Sequence, residues 1–244
     1  MKIKNLFYLI INFHKLPKYL LQYYKFNKNN NIWTIKFIDM LPILDEDSGE
    51  MLFDSHYVYH TGWASRVLKE IGASKLVDIS SSIMFCSAVS AFIKVEHYDF
   101  RKADLSLPGI KCGQENLLNL SFNNNSIECL SCMHVIEHVG LGRYGDDINL
   151  HDDKNAANEL IRVLSKNGFL LVVLPLGEKS KIRFNAHRIY SFDIVINMFN
   201  SLSLKEFSFY NDKTNEFKKN ALPSDIMGSE YGCGCFVFQK IYLK

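Results

Sequence analysis

Apolar and polar positions follow two regimes along this chain. Short apolar runs, of the kind that fill a strand covered on both faces, recur at KLVDIS (75–80), IKVEHYD (93–99), SIECLSCM (126–133) and GFLLVVLP (168–175). Residues 109–114 add a shorter candidate strand. Helical patterns lie between these runs. Tyr57, Tyr59, Trp63, Val67, Leu68 and Ile71 recur at helical spacing until Gly72 stops the helix. SIMFCSAVSAF (82–92) predicts a helix directly after the first strand. DDKNAANELIRVLSKNG (152–168) predicts another, with Asn155, Glu159 and Arg162 on one face and its end at Gly168. IYSFDIVINMF predicts a third. LSLKEFSFY (202–210) and CGCFVFQKIYL (233–243) close the chain as a pair of strands.

Strands that alternate with helices imply an α/β fold: a mostly parallel sheet with helices on both faces. Two successive strands at the end add a C-terminal antiparallel hairpin. The order divides the chain into a basic helical N-terminal extension, residues 1–55, and one α/β domain, residues 56–244. Ligands of such sheets bind at the carboxyl ends of the strands, where the strand order reverses.

Composition changes this picture little. The 244 residues are 48% hydrophobic and 22% charged, with a net charge of +2, which suits a soluble globular protein and gives no general affinity for nucleic acid. The charge is unevenly spread. Lys2, Lys4, Lys15, Lys18, Lys25, Lys28 and Lys36 all precede the first acid, Asp39, so the rest of the chain is net negative. The run LFYLIINF after Lys4 is interrupted at Asn12 and His14 and lacks a small-residue cleavage site, which argues against a signal peptide. Beyond Pro17 a helix places Lys15, Lys18, Gln22 and Lys25 on one face. That pattern fits either a helix packed on the domain or one lying on an anionic membrane; the packed helix is the commoner arrangement. FNKNNN (26–31) reads as a linker. Six cysteines, Cys86, Cys112, Cys129, Cys132, Cys233 and Cys235, sit mostly in apolar runs and imply a reducing, cytoplasmic setting. Cys129 and Cys132 point to opposite faces of a strand. Cys233 and Cys235 share a face, but two thiolates alone make no zinc site.

The candidate chemistry gathers at the strand ends. Asp78-Ile79-Ser80-Ser81-Ser82 follows the first strand and Asp99 ends the second, 21 residues on. A tight turn of small residues admits a ligand close to backbone, and an acid about 20 residues later can bind ribose hydroxyls. Glu115-Asn116-Leu117 follows the third strand and HVIEHV the fourth. This arrangement resembles the class I S-adenosylmethionine (SAM)-dependent methyltransferases, whose sheet is Rossmann-like. KLVDISSS stands in the place of their first motif, NLLNLSFNNNSIE (116–128) of their third, and VLSKNGFLLVVLP of the segment leading into their fifth strand. The likeness covers roughly residues 56–244. It implies SAM as cofactor, held by Asp78, Ser80 and Ser82 at the methionine part, Asp99 at the ribose, Asn116 and the Leu117 backbone at the adenine, and His134 nearby. Serines replace the usual glycines of the turn, Asn116 an acid, and Glu128 an aspartate. The strings SSIMF, HVIEHVGLGRYGD and FNAHRIYS further resemble an uncharacterised methyltransferase-like family found in nematodes and in bacterial polysaccharide gene clusters.

Methyl transfer to a hydroxyl calls for a base at the mouth beyond the fourth strand. His138 or His187 is the expected base, with Glu137 orienting a ring or the acceptor. Arg143, Tyr144, Asp146 and Arg188 are expected on the substrate, the arginines holding a phosphate or carboxylate. His56, Tyr57, Tyr59, His60, Trp63 and Arg66 are candidates for a lid over the cofactor, with core packing the safer reading for Tyr59 and Trp63 and with His60 and Arg66 the better functional candidates. His134, Glu137 and His138 also fit H-x-x-E-H, a zinc-protease pattern that needs both histidines on one helix face. Here the motif begins at a strand end, so no metal is expected. The resulting expectation is a SAM-dependent methyltransferase acting on a small molecule or glycan, such as a sugar hydroxyl of a surface polysaccharide or its precursor. It would be cytoplasmic, with peripheral membrane contact through the basic helix. The alternatives are a non-catalytic Rossmann-like binding or scaffold protein and, from the EHVG string followed by Tyr144, a lipid-modifying enzyme resembling cyclopropane fatty-acid synthases.

Overall fold

The computed structural model describes residues 12–28, 32–33, 35–44, 46, 49 and 51–241. The chain forms two compact units, Met1–Phe53 and Asp54–Lys244. In the first unit, helix α1 (Leu16–Lys28) buries none of its residues, and Leu20, Leu21, Tyr24 and Phe26 are more than half exposed. This helix takes in Phe26–Lys28, so the expected linker does not begin at Phe26; residues 29–31, and the apolar run up to Ile11, lie outside the described residues. Among the described residues, no helix is long and apolar enough to cross a membrane.

The second unit is an eight-stranded sheet. Its strands are β1 (Lys75–Ile79), β2 (Lys94–Asp99), β3 (Ile110–Gln114), β4 (Ile127–Met133), β5 (Leu164–Leu176), β8 (Ser203–Asn211), β9 (Glu216–Lys218) and β10 (Gly232–Gln239). A separate two-stranded ribbon pairs β6 (Lys181–Arg183) with β7 (His187–Ile189). The sheet order is β3-β2-β1-β4-β5-β10-β8-β9. Strands β1 to β5 run parallel, and β10 is antiparallel to both β5 and β8. The chain runs outward from β1 through β2 to β3 and then returns to place β4 beside β1. That reversal opens the crevice where ligands bind in such sheets.

The unbroken apolar run of β5 follows from burial on both faces. Leu170, Val172 and Leu174 join a core with Leu130, Leu160, Phe199 and Phe236. Leu171 and Val173 face the opposite core with Trp63, Leu68, Phe85 and Met133. Cys132 and Cys129 divide between the same two cores, as strand alternation requires. All six cysteines are free.

Four helices cover this sheet: α2 (Ser55–Glu70), α3 (Ile83–Val89), α4 (Asp152–Val163) and α5 (Phe192–Met198). The Asp54 carboxylate caps α2 by accepting from the Tyr57 N–H. The buried stripe of α2 contains His56, His60, Trp63, Ala64, Val67 and Leu68, and it therefore carries two histidines where apolar residues are the rule.

The elements depart from expectation in three places. Helix α4 ends at Val163 rather than Gly168, because Leu164 turns extended and pairs with Ile127. Asn167 takes φ +59, and the register between β4 and β5 shifts there. The residues expected to stop a helix therefore form an irregularity inside a strand. The FNAHRIYS segment contains β7 rather than the start of a helix, so α5 begins only at Phe192. The C-terminal strands are adjacent and antiparallel, but β10 inserts between β5 and β8 and leaves β9 on the edge.

Candidate functional site

A cleft of about 680 Å³ opens at the carboxyl ends of β1 to β4, lined by Ser80, Ser82, Asp99, Asn116, Leu117, His134 and His138 among others. This volume lies within the range of small-molecule sites.

The turn after β1 is built from beneath. Asp78 is fully buried and does not line the cleft. Its carboxylate accepts from the Ser131 hydroxyl, from the Ser81 N–H at 3.1 Å and from His97 Nδ1 at 2.8 Å. The expected contact of Asp78 with the cofactor is thus replaced by an indirect role: its oxygens are used in holding the turn. Ser81 in turn receives the Met133 N–H, fastening the turn to the end of β4. Ser80 takes φ +58, and its N–H donates to the Tyr98 carbonyl at 2.7 Å. A serine therefore adopts the left-handed backbone that glycine usually supplies. Ser82 precedes α3 and lines the cleft without capping that helix through its side chain.

Asp99 ends β2 on the cleft wall, and its Oδ1 accepts the Arg101 N–H at 2.8 Å. Asn116 forms a tight turn: its Oδ1 accepts the Leu118 N–H at 3.0 Å and its carbonyl the Asn119 N–H at 2.9 Å. Leu117, in that turn, lines the cleft and also packs in the core.

At the mouth, His138 Nδ1 lies 2.6 Å from the Ala186 carbonyl oxygen and 3.1 Å from Arg143 Nη1; the carbonyl can only accept, and as the nearer partner it assigns the proton to Nδ1. The Nε2 lone pair is then the basic atom, 3.8 Å from Glu137 Oε1. Arg143 donates to the same Ala186 carbonyl at 2.9 Å. The Arg143 and Arg101 guanidinium carbons each lie 5.2 Å from the centre of the Tyr144 ring. Asp146 orders the loop: its carboxylate accepts the N–H groups of Gly140, Gly142 and Tyr144. Burial raises the proton affinity of Asp146, but these backbone donors outweigh it and hold the group below the usual carboxylate value.

Four expected residues stand elsewhere. His187 is not on the cleft wall; its ring lies 6.2 Å from that of His138 and stacks on Tyr231. Burial first, then the His138 and Arg183 charges, lowers its pKa. Arg188 is buried, donating to the Val139 carbonyl at 2.6 Å and standing 3.5 Å from Asp153. It ties β7 to the loop after β4 rather than facing a substrate. Glu137 is buried and accepts from His134 Nδ1 at 2.9 Å. Arg66 is exposed, bonded to the Gly62 carbonyl. Tyr57, one of the lid candidates, lines the cleft, and so does Arg101, which the sequence did not single out. Position two residues past the β2 acid was the available signal for Arg101.

His134, in the left-handed region at φ +57, lies in a cluster of its own. Its Nε2 is 3.6 Å from Cys233 Sγ, and Cys235 Sγ is 3.9 Å from that sulfur. Burial opposes charge on the ring, but Cys233 and Glu137 push the His134 pKa up to about 10. Burial likewise raises the Cys233 thiol, and Cys235, His134 and His60 more than reverse this. The two histidines of the H-x-x-E-H string do not converge: His134 faces Cys233 and His138 faces Ala186.

A sheet of this order, with its cleft at the β1–β4 reversal, has the Rossmann-like fold of class I SAM-dependent methyltransferases. Three solved structures illustrate the likeness. YcgJ of Bacillus subtilis is 12% identical with a TM-score of 0.54, over 76% of this chain and 100% of that one. A putative sarcosine dimethylglycine methyltransferase from Galdieria sulphuraria is 11% identical with a TM-score of 0.55, over 75% and 86%. The N-methyltransferase NodS of Bradyrhizobium japonicum, crystallised with S-adenosyl-L-homocysteine, is 11% identical with a TM-score of 0.51, over 81% and 90%. No curated protein matches the sequence. Residues 115–240 match the family described as Caenorhabditis protein of unknown function, DUF268, and the chain belongs to that family.

Proposed function

We propose that the protein is a SAM-dependent O-methyltransferase. The observation that carries this reading is the convergence of Ser80, Asp99, Asn116 and His138, from four separate strand ends, on one cleft. The residues suit the cofactor. Asp99 would hold the ribose, the backbone at Leu117 the adenine, and the Ser80 turn the methionine part. Ser80 already has the backbone that a glycine there would give, so the serine substitution does not close the turn. Bound SAM supplies an electrophilic methyl group that an acceptor oxygen displaces from sulfur.

The remaining chemistry belongs to the chain. His138, fixed through Nδ1 by Ala186, takes the proton of the acceptor hydroxyl at Nε2. Arg143 and Arg101 beside Tyr144 would hold an anionic group on the acceptor. A sugar hydroxyl of a surface polysaccharide or its phosphate-bearing precursor fits that pair, and the sequence resemblance supports the same acceptor. His138→Gln should lower turnover by about 100-fold or more while leaving SAM affinity unchanged. An unchanged rate assigns the base elsewhere. Contact of the N-terminal lysines and the exposed Leu20, Leu21, Tyr24 and Phe26 with an anionic membrane is part of the proposal. Full-length protein should sediment with anionic vesicles and a chain lacking residues 1–30 should not; full-length protein that stays free removes the membrane from the account.

A further inference from the structure

Three histidines of the second unit share an arrangement that packing alone does not explain. Each has one ring nitrogen bonded to an acceptor. His56 Nε2 bonds the Tyr231 carbonyl at 3.0 Å, and its Nδ1 is buried without a partner. His60 Nδ1 bonds the His56 carbonyl at 2.6 Å, and its Nε2 is buried without a partner, in a residue with no exposed surface. His134 Nδ1 bonds the Glu137 carboxylate, and its Nε2 faces Cys233 Sγ. The His134 ring centre lies 5.2 Å from that of His56 and 5.0 Å from that of His60. One ligating atom each from His56, His134 and Cys233 lies within 4.8 Å of the other two.

Imidazoles that bind metals donate their second N–H to a carbonyl or carboxylate, and all three rings here are held so. Unbonded buried nitrogens are costly in an apolar core, and a cation would satisfy the one on His56. The spacing agrees. With bonds of about 2.3 Å to sulfur and about 2.0 Å to nitrogen at a tetrahedral angle, the two ligand atoms lie about 3.5 Å apart. The His134 Nε2 to Cys233 Sγ distance is 3.6 Å. We infer that His56, His134 and Cys233 form a buried zinc site, with the His60 ring packed edge-on against that of His134. Imidazole and thiolate donors select zinc over the hard oxygen-binding cations.

The site joins the start of α2, the end of β4 and the start of β10. His134 also lines the cleft, so the metal would brace the cleft floor. It does not depend on the methyltransferase reading. Glu137 is a positioning residue here, orienting His134. A thiol nucleophile built from Cys233, His134 and Glu137 is disfavoured because the sulfur has no exposed surface. The neighbouring trio Asp78, Cys86 and His97 is also within ligating distance, but its carboxylate is filled by internal donors.

The test uses the full-length chain, purified with and without chelator. Zinc should be found by elemental analysis at about one equivalent per chain. Cobalt(II) added to stripped protein should give tetrahedral visible bands and a thiolate-to-cobalt charge-transfer band. Cys233→Ser should abolish the charge-transfer band and His56→Gln should weaken cobalt binding, while Cys112→Ser alters neither. Glu137→Gln should weaken binding by about 10–100-fold. Where Cys233→Ser does not fold, His56→Gln carries the test. Folded wild-type protein that takes up neither zinc nor cobalt overturns the site, as does cobalt binding unchanged in Cys233→Ser and His56→Gln. So does Cys233 that is alkylated rapidly in native protein and is not protected by zinc.

Discussion

Two buried histidine–cysteine clusters lie at the carboxyl end of this sheet, and they differ in one respect. Around Asp78, the His97 ring, the Ser131 hydroxyl and the Ser81 N–H all end on one carboxylate, and Cys86 Sγ lies 3.6 Å from the same ring nitrogen. Around Cys233, ring nitrogens of His56 and His60 end on nothing. Residue types and burial are similar in the two. The difference is whether donors and acceptors balance within the protein, since a balanced network rigidifies and an unbalanced one calls for a ligand. The first cluster therefore shapes the turn that the cleft uses, and the second is a site in its own right.

The largest expected effect strikes the balanced cluster. Asp78→Ala leaves His97, Ser131 and the Ser81 N–H without their acceptor in a fully buried place, and should cost about 3 kcal/mol or more by urea unfolding. The loss should be the same with and without chelator. A chelator-dependent loss would mean that the Asp78 trio is the metal site and would reverse the comparison.

The unbalanced cluster should respond oppositely. Stripping zinc should lower the melting temperature of the wild type and hardly move that of Cys233→Ser, because a ligand bound only to the folded state stabilises by mass action. Equal melting temperatures for zinc-loaded and stripped wild type would contradict this.

Smaller effects come from the loops between the clusters and the solvent. A Cβ on Gly140, at φ +73, would stand 2.2 Å from the Asn149 carbonyl oxygen. Gly140→Ala should cost about 2 kcal/mol and raise proteolysis of the loop that carries Arg143 and Tyr144. Acid should loosen the same loop. The folded pKa of Asp146 lies below the usual aspartate value, so its stabilisation is complete above that value and fades as the pH falls through the folded pKa. Hydrogen exchange at Gly140, Gly142 and Tyr144 should rise in that window in the wild type and be insensitive to pH there in Asp146→Asn. Ser80→Gly should be the mildest change. Relief of the left-handed strain, about 1 kcal/mol, is offset by the entropy that glycine adds to the unfolded chain. Its melting temperature should hardly move, whereas Ser80→Val should lower it clearly.

Strands buried on both faces were legible in the sequence because an unbroken apolar run such as LLVVLP has few other uses. Three-residue strands such as β6, β7 and β9 carry too little pattern to be read, and β7 was absorbed into the helix pattern that follows it. The cleft was legible at Ser80, Asp99 and Asn116, since strand ends fix position whatever the loops do. What each side chain touches was not. Asp78 and Arg188 looked available, yet tertiary contacts bury them. The metal ligands were hidden for a related reason. His56 sits in a helical pattern, but nothing local indicates that Cys233, at the far end of the chain, arrives beside it. The basic N-terminal pattern correctly indicated the helix that became α1, though not that its apolar residues are exposed.

The central claim is that the cleft at the ends of β1 to β4 holds SAM. Calorimetric titration of the full-length protein with S-adenosylhomocysteine tests it most directly. The account predicts saturable binding at one equivalent per chain, weakened about tenfold or more in Asp99→Ala by loss of a charged hydrogen-bond acceptor. No binding at millimolar ligand by folded wild-type protein, or equal affinity in Asp99→Ala, would contradict it.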